Sequence, residues 1–275
     1  MRVVAALQGT EMKLKLYQVD AFAERVFEGN PAAVVPFDTW PDDQLLQAIA
    51  QENNLSETAF FVAGDDGYDL RWFTPRVEVE LCGHATLASA HVVFEHLGHD
   101  RDEIRFHTKS GLLTVTKAEK GIEMDFPAVA SETIAAPEDL LEGLGAQPLE
   151  VRAAPDYLAV FESEKEVAAL APDFAALSRL DRRGVIATAP GSDFDFVSRC
   201  FYPKLGVDED PVTGSAHCKT APYWADQLGR NELVARQLSA RGGTVRCRLV
   251  EDRVILAGSA VDYLQGEIRI PDDRG

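Results

Sequence analysis

The sequence predicts an α+β fold of two similar halves, each a barrel-like, mostly antiparallel sheet wrapped around one central helix. Three observations carry this. The chain repeats itself: RWFTPRVEVELCGHATLAS (71–89) returns as RCFYPKLGVDEDPVTGSAH (199–217), with Arg71, Phe73, Pro75 and Val79 matching Arg199, Phe201, Pro203 and Val207 at an offset of 128 residues. Each copy runs into a segment, GHATLASAHVVFEHLG (83–98) or TGSAHCKTAPYWADQLG (213–229), that is small and apolar on nearly every side, and a helix of that kind is buried all round. Strand-like runs surround both, with no G-x-G-x-x-G after a strand and no series of helix-separated parallel strands, which argues against a dinucleotide-binding architecture.

Alternation through KLKLYQVDAF (13–22) and PAAVVPF (31–37) predicts two strands. PDDQLLQAIAQEN (41–53) predicts an amphipathic helix with acids in its first turn, where the dipole favours them, and Asn53-Asn54 ends it. LSETAFFVA (55–63) reads as a loop feeding a strand, which Asp65-Asp66-Gly67 turns into YDLRWFT. After the first buried helix come EIRFHT, LLTVTKA and IEMDFP, the last two joined near Lys120-Gly121. In the second half, helices at 137–144 and 173–180 flank the strand YLAVFES (157–163), and GVIATAP and DFVSRCFY lead to the second copy of the motif. Pro222 removes a donor inside the second buried helix and predicts a kink. LVARQLSA, TVRCRLV and RVILAGSA follow, turned at Arg241-Gly242-Gly243 and Glu251-Asp252. The expected domains are 12–127 and 135–262, joined where Pro, Ala and Ser replace patterned residues; 263–275 crosses back to the first domain, and 1–11 is an N-terminal extension.

A length of 275 residues suits two such domains, and 46% hydrophobic with 26% charged residues is a globular composition. No apolar run approaches the roughly 20 residues that cross a bilayer. A net charge of −18 argues against nucleic acid and anionic membranes as partners. The N-terminus lacks a secretory pattern, and Cys82, Cys200, Cys218 and Cys247 form no C-x-x-C pair, which points to a reducing cytoplasm and to neither a zinc site nor a redox dithiol. His91, His96 and His99 share no clean helical face, so no metal site is expected.

Two similar halves pack about a pseudo-two-fold axis, which brings corresponding loops to one central cleft. Both repeats end at the start of a buried helix, Gly83-His84-Ala85-Thr86 and Thr213-Gly214-Ser215-Ala216. Unpaired N–H groups and partial positive charge at helix starts form a carboxylate site, which explains how an acidic protein could hold an anion. The alternative is that Gly and Ser there only permit tight packing and capping; their recurrence at matched positions favours the site.

The pieces YQVDAFAERVFEGNPAAVV, NNLSETAFFV, FTPRVEVELCGHATLASA, GVDEDPVTGSAH and LSARGG occur in order between about residues 14 and 243. With them the chain resembles the phenazine-biosynthesis PhzF-like isomerases, relatives in fold of diaminopimelate epimerase. The resemblance implies an interdomain active site, catalysis without a cofactor, a small carboxylic-acid substrate and a homodimer. Carried over by motif, the glutamate of NLSET makes Glu57 the acid/base, while His84 of GHAT and Asp210 of EDPVTGSA are its polar partners. Ser215 and the backbones of Gly83 and Gly214 would hold the substrate carboxylate, with Ser56 and Thr213 beside them.

Physical readings of the same residues accompany these roles. Glu57 precedes Thr58-Ala59-Phe60-Phe61, so partial desolvation should raise its pKa; its bland reading is a solvated loop glutamate. The dipole at a helix start disfavours a charged His84, which suggests a neutral imidazole or simply a capping histidine. Asp210 before Pro211 is either a turn residue or a partner of Glu57 or His84 across the cleft. The repeat aligns Cys82 with Asp210, so no second thiol faces Cys82, and a small buried hydrophobe is its better reading. The function expected is a proton shift within an unsaturated or carbonyl-bearing acid. The rivals are an epimerase or racemase of a small amino or hydroxy acid using Cys82, and a non-catalytic binding protein.

Overall fold

The structure, a computed structural model, describes residues 11–271. Residues 1–10 of the expected extension and 272–275 of the expected crossing segment lie outside it. The first half runs β1 (Glu11–Ala21), β2 (Asn30–Phe37), α1 (Asp43–Asn53), β3 (Glu57–Gly64), β4 (Gly67–Phe73), β5 (Glu78–Val79), α2 (Gly83–His96), β6 (Glu103–Thr108), β7 (Gly111–Ala118) and β8 (Gly121–Pro127). The second runs β9 (Glu132–Ile134), α3 (Glu138–Leu144), β10 (Glu150–Ala153), β11 (Tyr157–Val160), α4 (Glu164–Ala169), α5 (Phe174–Ser178), β12 (Val185–Pro190), β13 (Phe196–Tyr202), β14 (Val207–Asp210), α6 (Gly214–Leu228), β15 (Glu232–Gln237), β16 (Gly243–Val250), β17 (Arg253–Gly258) and β18 (Ala260–Pro271).

The halves pair their strands by one plan. In the first, β1–β2 and β3–β4 are antiparallel, β2–β3 is parallel across α1, β4–β6 is parallel across α2, and β6–β7–β8 is an antiparallel meander. In the second, β10–β11, β11–β12, β12–β13, β13–β15 and β15–β16–β17 repeat those relations in order. The sheet is thus mostly antiparallel, but each half contains two parallel pairs bridged by helical crossovers, which the absence of a regular alternating pattern had hidden. The halves are also joined by strand pairing: β18 pairs with β1 from Glu11↔Pro271 to Ala21↔Ala260, and β8 pairs with β17, while β9 pairs with β10 within the second half.

The two central helices behave as their composition dictates. In α2 the residues from His84 to Ala90, and Val92 to Phe94, are all buried; burying side chains such as Leu87, Val92 and Val93 contributes about 1.5–3 kcal/mol each. α6 buries Ala216 to Ala221 as well as Trp224 and Ala225, and one continuous core cluster includes both helices. Pro222 lacks the N–H that would bond the Cys218 carbonyl, and the backbone N–H of Val129, in the segment between the halves, donates to that carbonyl at 2.9 Å.

The internal repeat has a three-residue step in it. Arg71 grips Glu78 through two bonds of 2.8 and 2.9 Å and lies 5.1 Å from the Phe73 ring; Arg199 grips Glu209 at 2.7 and 2.9 Å and lies 5.1 Å from the Phe201 ring. The arginines are 128 residues apart, but the glutamates are 131 apart. Strand register agrees: Trp72 faces Val79, whereas Cys200 faces Asp210. A one-turn 3-10 helix, Pro203–Leu205, lies within the segment that absorbs the difference. Cys82 therefore corresponds to Thr213, the residue before α6, and Asp210 corresponds to Val79. The sequence alignment of Cys82 with Asp210 is corrected accordingly.

Candidate active site

Glu57 and His84 meet because of two local devices. Asn54 ends α1 in the left-handed conformation, φ 50° and ψ 36°, with its N–H bonded to the Ala50 carbonyl, and a residue of this type tolerates that geometry. The chain then turns into β3, whose first residue, Glu57, lies opposite Ala32 of β2. His84 is the second residue of α2, and its Nε2 lies 3.1 Å from Glu57 Oε2, both side chains being largely buried. The other ring nitrogen, Nδ1, is 3.5 Å from the Cys82 sulfur.

This changes the expected state of the histidine. Burial opposes the charged ring, but the Cys82 sulfur and the Glu57 carboxylate together hold its pKa well above the usual 6.5. The buried Cys82 thiol is itself pushed up to about 11, chiefly by desolvation. A proton shared with a carboxylate about 3 Å away outweighs a helix dipole of fractional charge. The direction is opposite to the neutral ring suggested by the place of His84 at a helix start.

Asp210 closes β14 and makes different bonds from those expected. Its Oδ1 accepts from Asn30 Nδ2 at 2.8 Å and its Oδ2 accepts from the Thr213 hydroxyl at 2.5 Å. No ion pair joins it to His84 among the described residues, yet it feels both members of the other pair. Burial, above all, and the Glu57 charge push its pKa up to about 6, against the opposing pull of His84, Thr213 and Asn30. Gln237 completes the support: its amide donates to the Asp210 carbonyl at 2.7 Å, and its oxygen accepts from the Thr213 N–H at 2.9 Å. Asn30 also donates to the Val212 carbonyl at 3.0 Å and leaves its own buried Oδ1 without a partner.

The two helix starts come together. A Cβ added to Gly83 would lie 3.6 Å from the Gly214 Cα. Neither start carries a side-chain cap, in contrast to α1, α4 and α5, which Asp42, Ser163 and Asp173 cap. Neither N-cap residue, Cys82 or Thr213, thus caps its helix through its side chain, and two sets of amide N–H groups with positive dipole ends converge. Ser215, at the second position of α6, accepts a 3.3 Å bond from Arg183 Nη2, whose Nε lies 3.0 Å from the buried Asp156 carboxylate. Ser56 is half-buried immediately before Glu57.

Sequence reasoning missed Asn30, Gln237 and Arg183. Asn30 stands within the quoted FEGNPAAVV piece, but its partner is 180 positions away. The same long-range stitching joins two other quoted pieces, since the Arg241 guanidinium of LSARGG reaches buried Asp20 of YQVDAF at 2.7 Å and the Gly29 carbonyl at 2.9 Å. As metal ligands, Glu57, Cys82 and His84 have suitable donor atoms within 4.8 Å of one another. The imidazole stands between the other two, with Nε2 3.1 Å from Glu57 Oε2 and Nδ1 3.5 Å from the Cys82 sulfur.

Known proteins resemble the chain over nearly its whole length. The PhzC-PhzF family, described as phenazine biosynthesis-like protein, matches residues 19–266. An uncharacterized isomerase of Pseudomonas aeruginosa is 54% identical, over 94% of this chain and all of that one. One from Halalkalibacterium halodurans is 49% identical, over 94% of this chain and 99% of its own length. A crystal structure of a PhzF-family phenazine biosynthesis protein from Enterococcus faecalis, 46% identical, superposes with a TM-score of 0.93 over 94% of this chain and all of that chain. No described helix is long and apolar enough to cross a membrane.

Proposed function

The chain belongs to the PhzC-PhzF family of phenazine biosynthesis-like isomerases, and from that premise we propose that it shifts a proton within a small unsaturated or carbonyl-bearing carboxylic acid, with Glu57 as acid and base and without a cofactor. The observation that carries the reading is the Glu57–His84 pair at 3.1 Å on the very helix start that abuts Gly214. The substrate carboxylate binds the free N–H groups at the Gly83 and Gly214 tips, aided by Ser215, Thr213 and Ser56. This anchors the acid with its α or vinylogous carbon near Glu57. Glu57 removes that proton, and the positive helix ends and the His84 imidazolium stabilise the extended enolate that forms. Glu57 then returns the proton at another carbon of the same molecule. Asp210, held by Asn30, Thr213 and Gln237, fixes the second tip and tunes the field at Glu57.

Incubation with a panel of small unsaturated acids in heavy water tests this by NMR. Turnover should be accompanied by proton shift or deuterium exchange, and Glu57→Gln should lower kcat by about 10²–10⁴-fold, the range for losing a general base. A Glu57→Gln enzyme with unaltered kcat would overturn the assignment. Two domains meeting between residues 127 and 135, a cytoplasmic location and a homodimer accompany this reading; light scattering of the purified protein tests the last.

A further inference from the structure

We propose that His91, His96 and Asp262 form a binding site for one divalent first-row transition ion of the Zn²⁺ class. The site is remote in role from Glu57, and it joins the far end of α2 to strand β18. The sequence spacing of the histidines, five apart, gave no reason to expect this. The structure resolves it through the third member: β18 crosses over to β1 and delivers Asp262, opposite Val19, to the end of α2. His91 Nε2 then lies 3.2 Å from Asp262 Oδ1, and His96 Nε2 lies 3.1 Å from Oδ1 and 2.9 Å from Oδ2.

Three features make this more than a histidine pair accepting a surface carboxylate. The donor set, two imidazoles and a carboxylate, is the combination that binds Zn²⁺ with a fourth position left for water. A tetrahedral ion with ligand bonds of about 2.05 Å has ligand–ligand edges of about 3.3 Å, so nitrogen–oxygen separations of 2.9 to 3.2 Å need to open only slightly to admit it. The ligands are also held in place. The side chains of His91 and His96 are only 14% and 21% exposed, and the His96 ring is stacked on Tyr17 of β1 with centroids 4.8 Å apart. Asp262 remains more open, at 42%, which leaves a path for the ion and its water. His96 ends α2, where the negative end of the helix dipole favours a cation, and the chain as a whole carries a charge of −18. A bound ion would tie the helix that carries His84 to the strand that crosses between the halves.

Isothermal calorimetry with Zn²⁺ on metal-stripped full-length protein, with His91→Gln, His96→Gln and Asp262→Asn beside the parent, tests the proposal. Expected is one equivalent bound, weakened at least tenfold in each variant, together with a Zn²⁺-dependent rise in Tm that the variants lose. Asp262→Asn changes an exposed side chain, so it remains informative should either histidine variant fold poorly. Co²⁺ substitution distinguishes this site from the thiol-bearing cluster around His84: a nitrogen–oxygen site gives visible d–d bands without a thiolate charge-transfer band. The proposal is overturned by an absence of binding, by binding unchanged in Asp262→Asn, or by a charge-transfer band that disappears in Cys82→Ser.

Discussion

Gly83 and Gly214, the first residues of the two buried helices, abut so closely that a methyl group on either would stand 3.6–3.7 Å from the other's Cα. That distance is ordinary van der Waals contact. Neither glycine has a positive φ, so neither backbone strain nor a steric clash demands one there. Glycine in a helix costs about 1 kcal/mol relative to alanine, and the remaining reason to keep it is close approach of a ligand to the backbone. Gly83→Ala should therefore fold with unchanged or slightly higher stability while KM for the acid rises about tenfold or more, a loss of about 1.4 kcal/mol in binding. Thermal melts beside steady-state kinetics check both halves of this expectation. Unchanged KM would return the glycines to a packing role.

Asp210 makes the pH dependence of folding specific. Its carboxyl pKa is pushed up to about 6 from an ordinary 3.8, foremost by burial, so the folded protein holds that proton more tightly than the unfolded chain does. Between those two values the native state binds more protons, and linkage then makes stability fall as pH rises. The contribution of Asp210 is fully present below about pH 4 and gone above about pH 6. Urea denaturation in half-unit pH steps should show Asp210→Asn lacking this decline, with the difference between variant and parent growing from pH 4 to 6 and constant beyond. A difference that is flat across that window would show that the carboxyl is not buried in the way described.

How far the sequence could lead differs from element to element. α2 and α6 were legible because small apolar residues on every side leave a helix no alternative to burial. α4 was missed although Ser163 and Glu166 spell a capping box that the structure forms; the strand assigned to 157–163 had absorbed its N-cap. The matching of Cys82 to Asp210 failed because the repeat was aligned on its best-matching strand residues, and the 3-10 turn at Pro203–Leu205 belongs to a segment that shifts everything after it by three. Alignment on the two helix-start glycines would have exposed the shift. The raised pKa of His84 was beyond reach, because the dipole is a local property of sequence, whereas Glu57 arrives by the pairing of β2 with β3.

With Thr213 facing it in the repeat, Cys82 has no second thiol with which to exchange protons across a substrate. The thiol is also buried and raised to about 11, so only a small fraction is thiolate at neutral pH, and the thiolate is the nucleophilic form. Iodoacetamide treatment of the folded protein at pH 7.5 should leave Cys82 unmodified by peptide mapping, with activity intact. Loss of activity in proportion to Cys82 alkylation would instead favour the epimerase rival.

Val129 supplies the hydrogen bond that Pro222 cannot. The Cys218 carbonyl would ordinarily bond the N–H four residues later, but proline occupies that place, and the Val129 N–H fills the gap at 2.9 Å. The neighbouring Ala128 N–H bonds the Asp252 carbonyl at 2.9 Å, so the segment between the halves is fastened at two successive residues. Val129→Pro deletes the donor and leaves a buried carbonyl unpaired, which costs about 1–3 kcal/mol. In a Pro222→Ala background the helix regains its own N–H for that carbonyl, and the same Val129→Pro change should cost less. Urea denaturation of the four proteins gives the coupling directly, and since any strain from proline at 129 is common to both backgrounds, it cancels. Additive losses would mean that the linker and the helix do not share this carbonyl. A coupling of about 1 kcal/mol or more would establish that the proline gap is where the segment between the halves is fastened to the second buried helix.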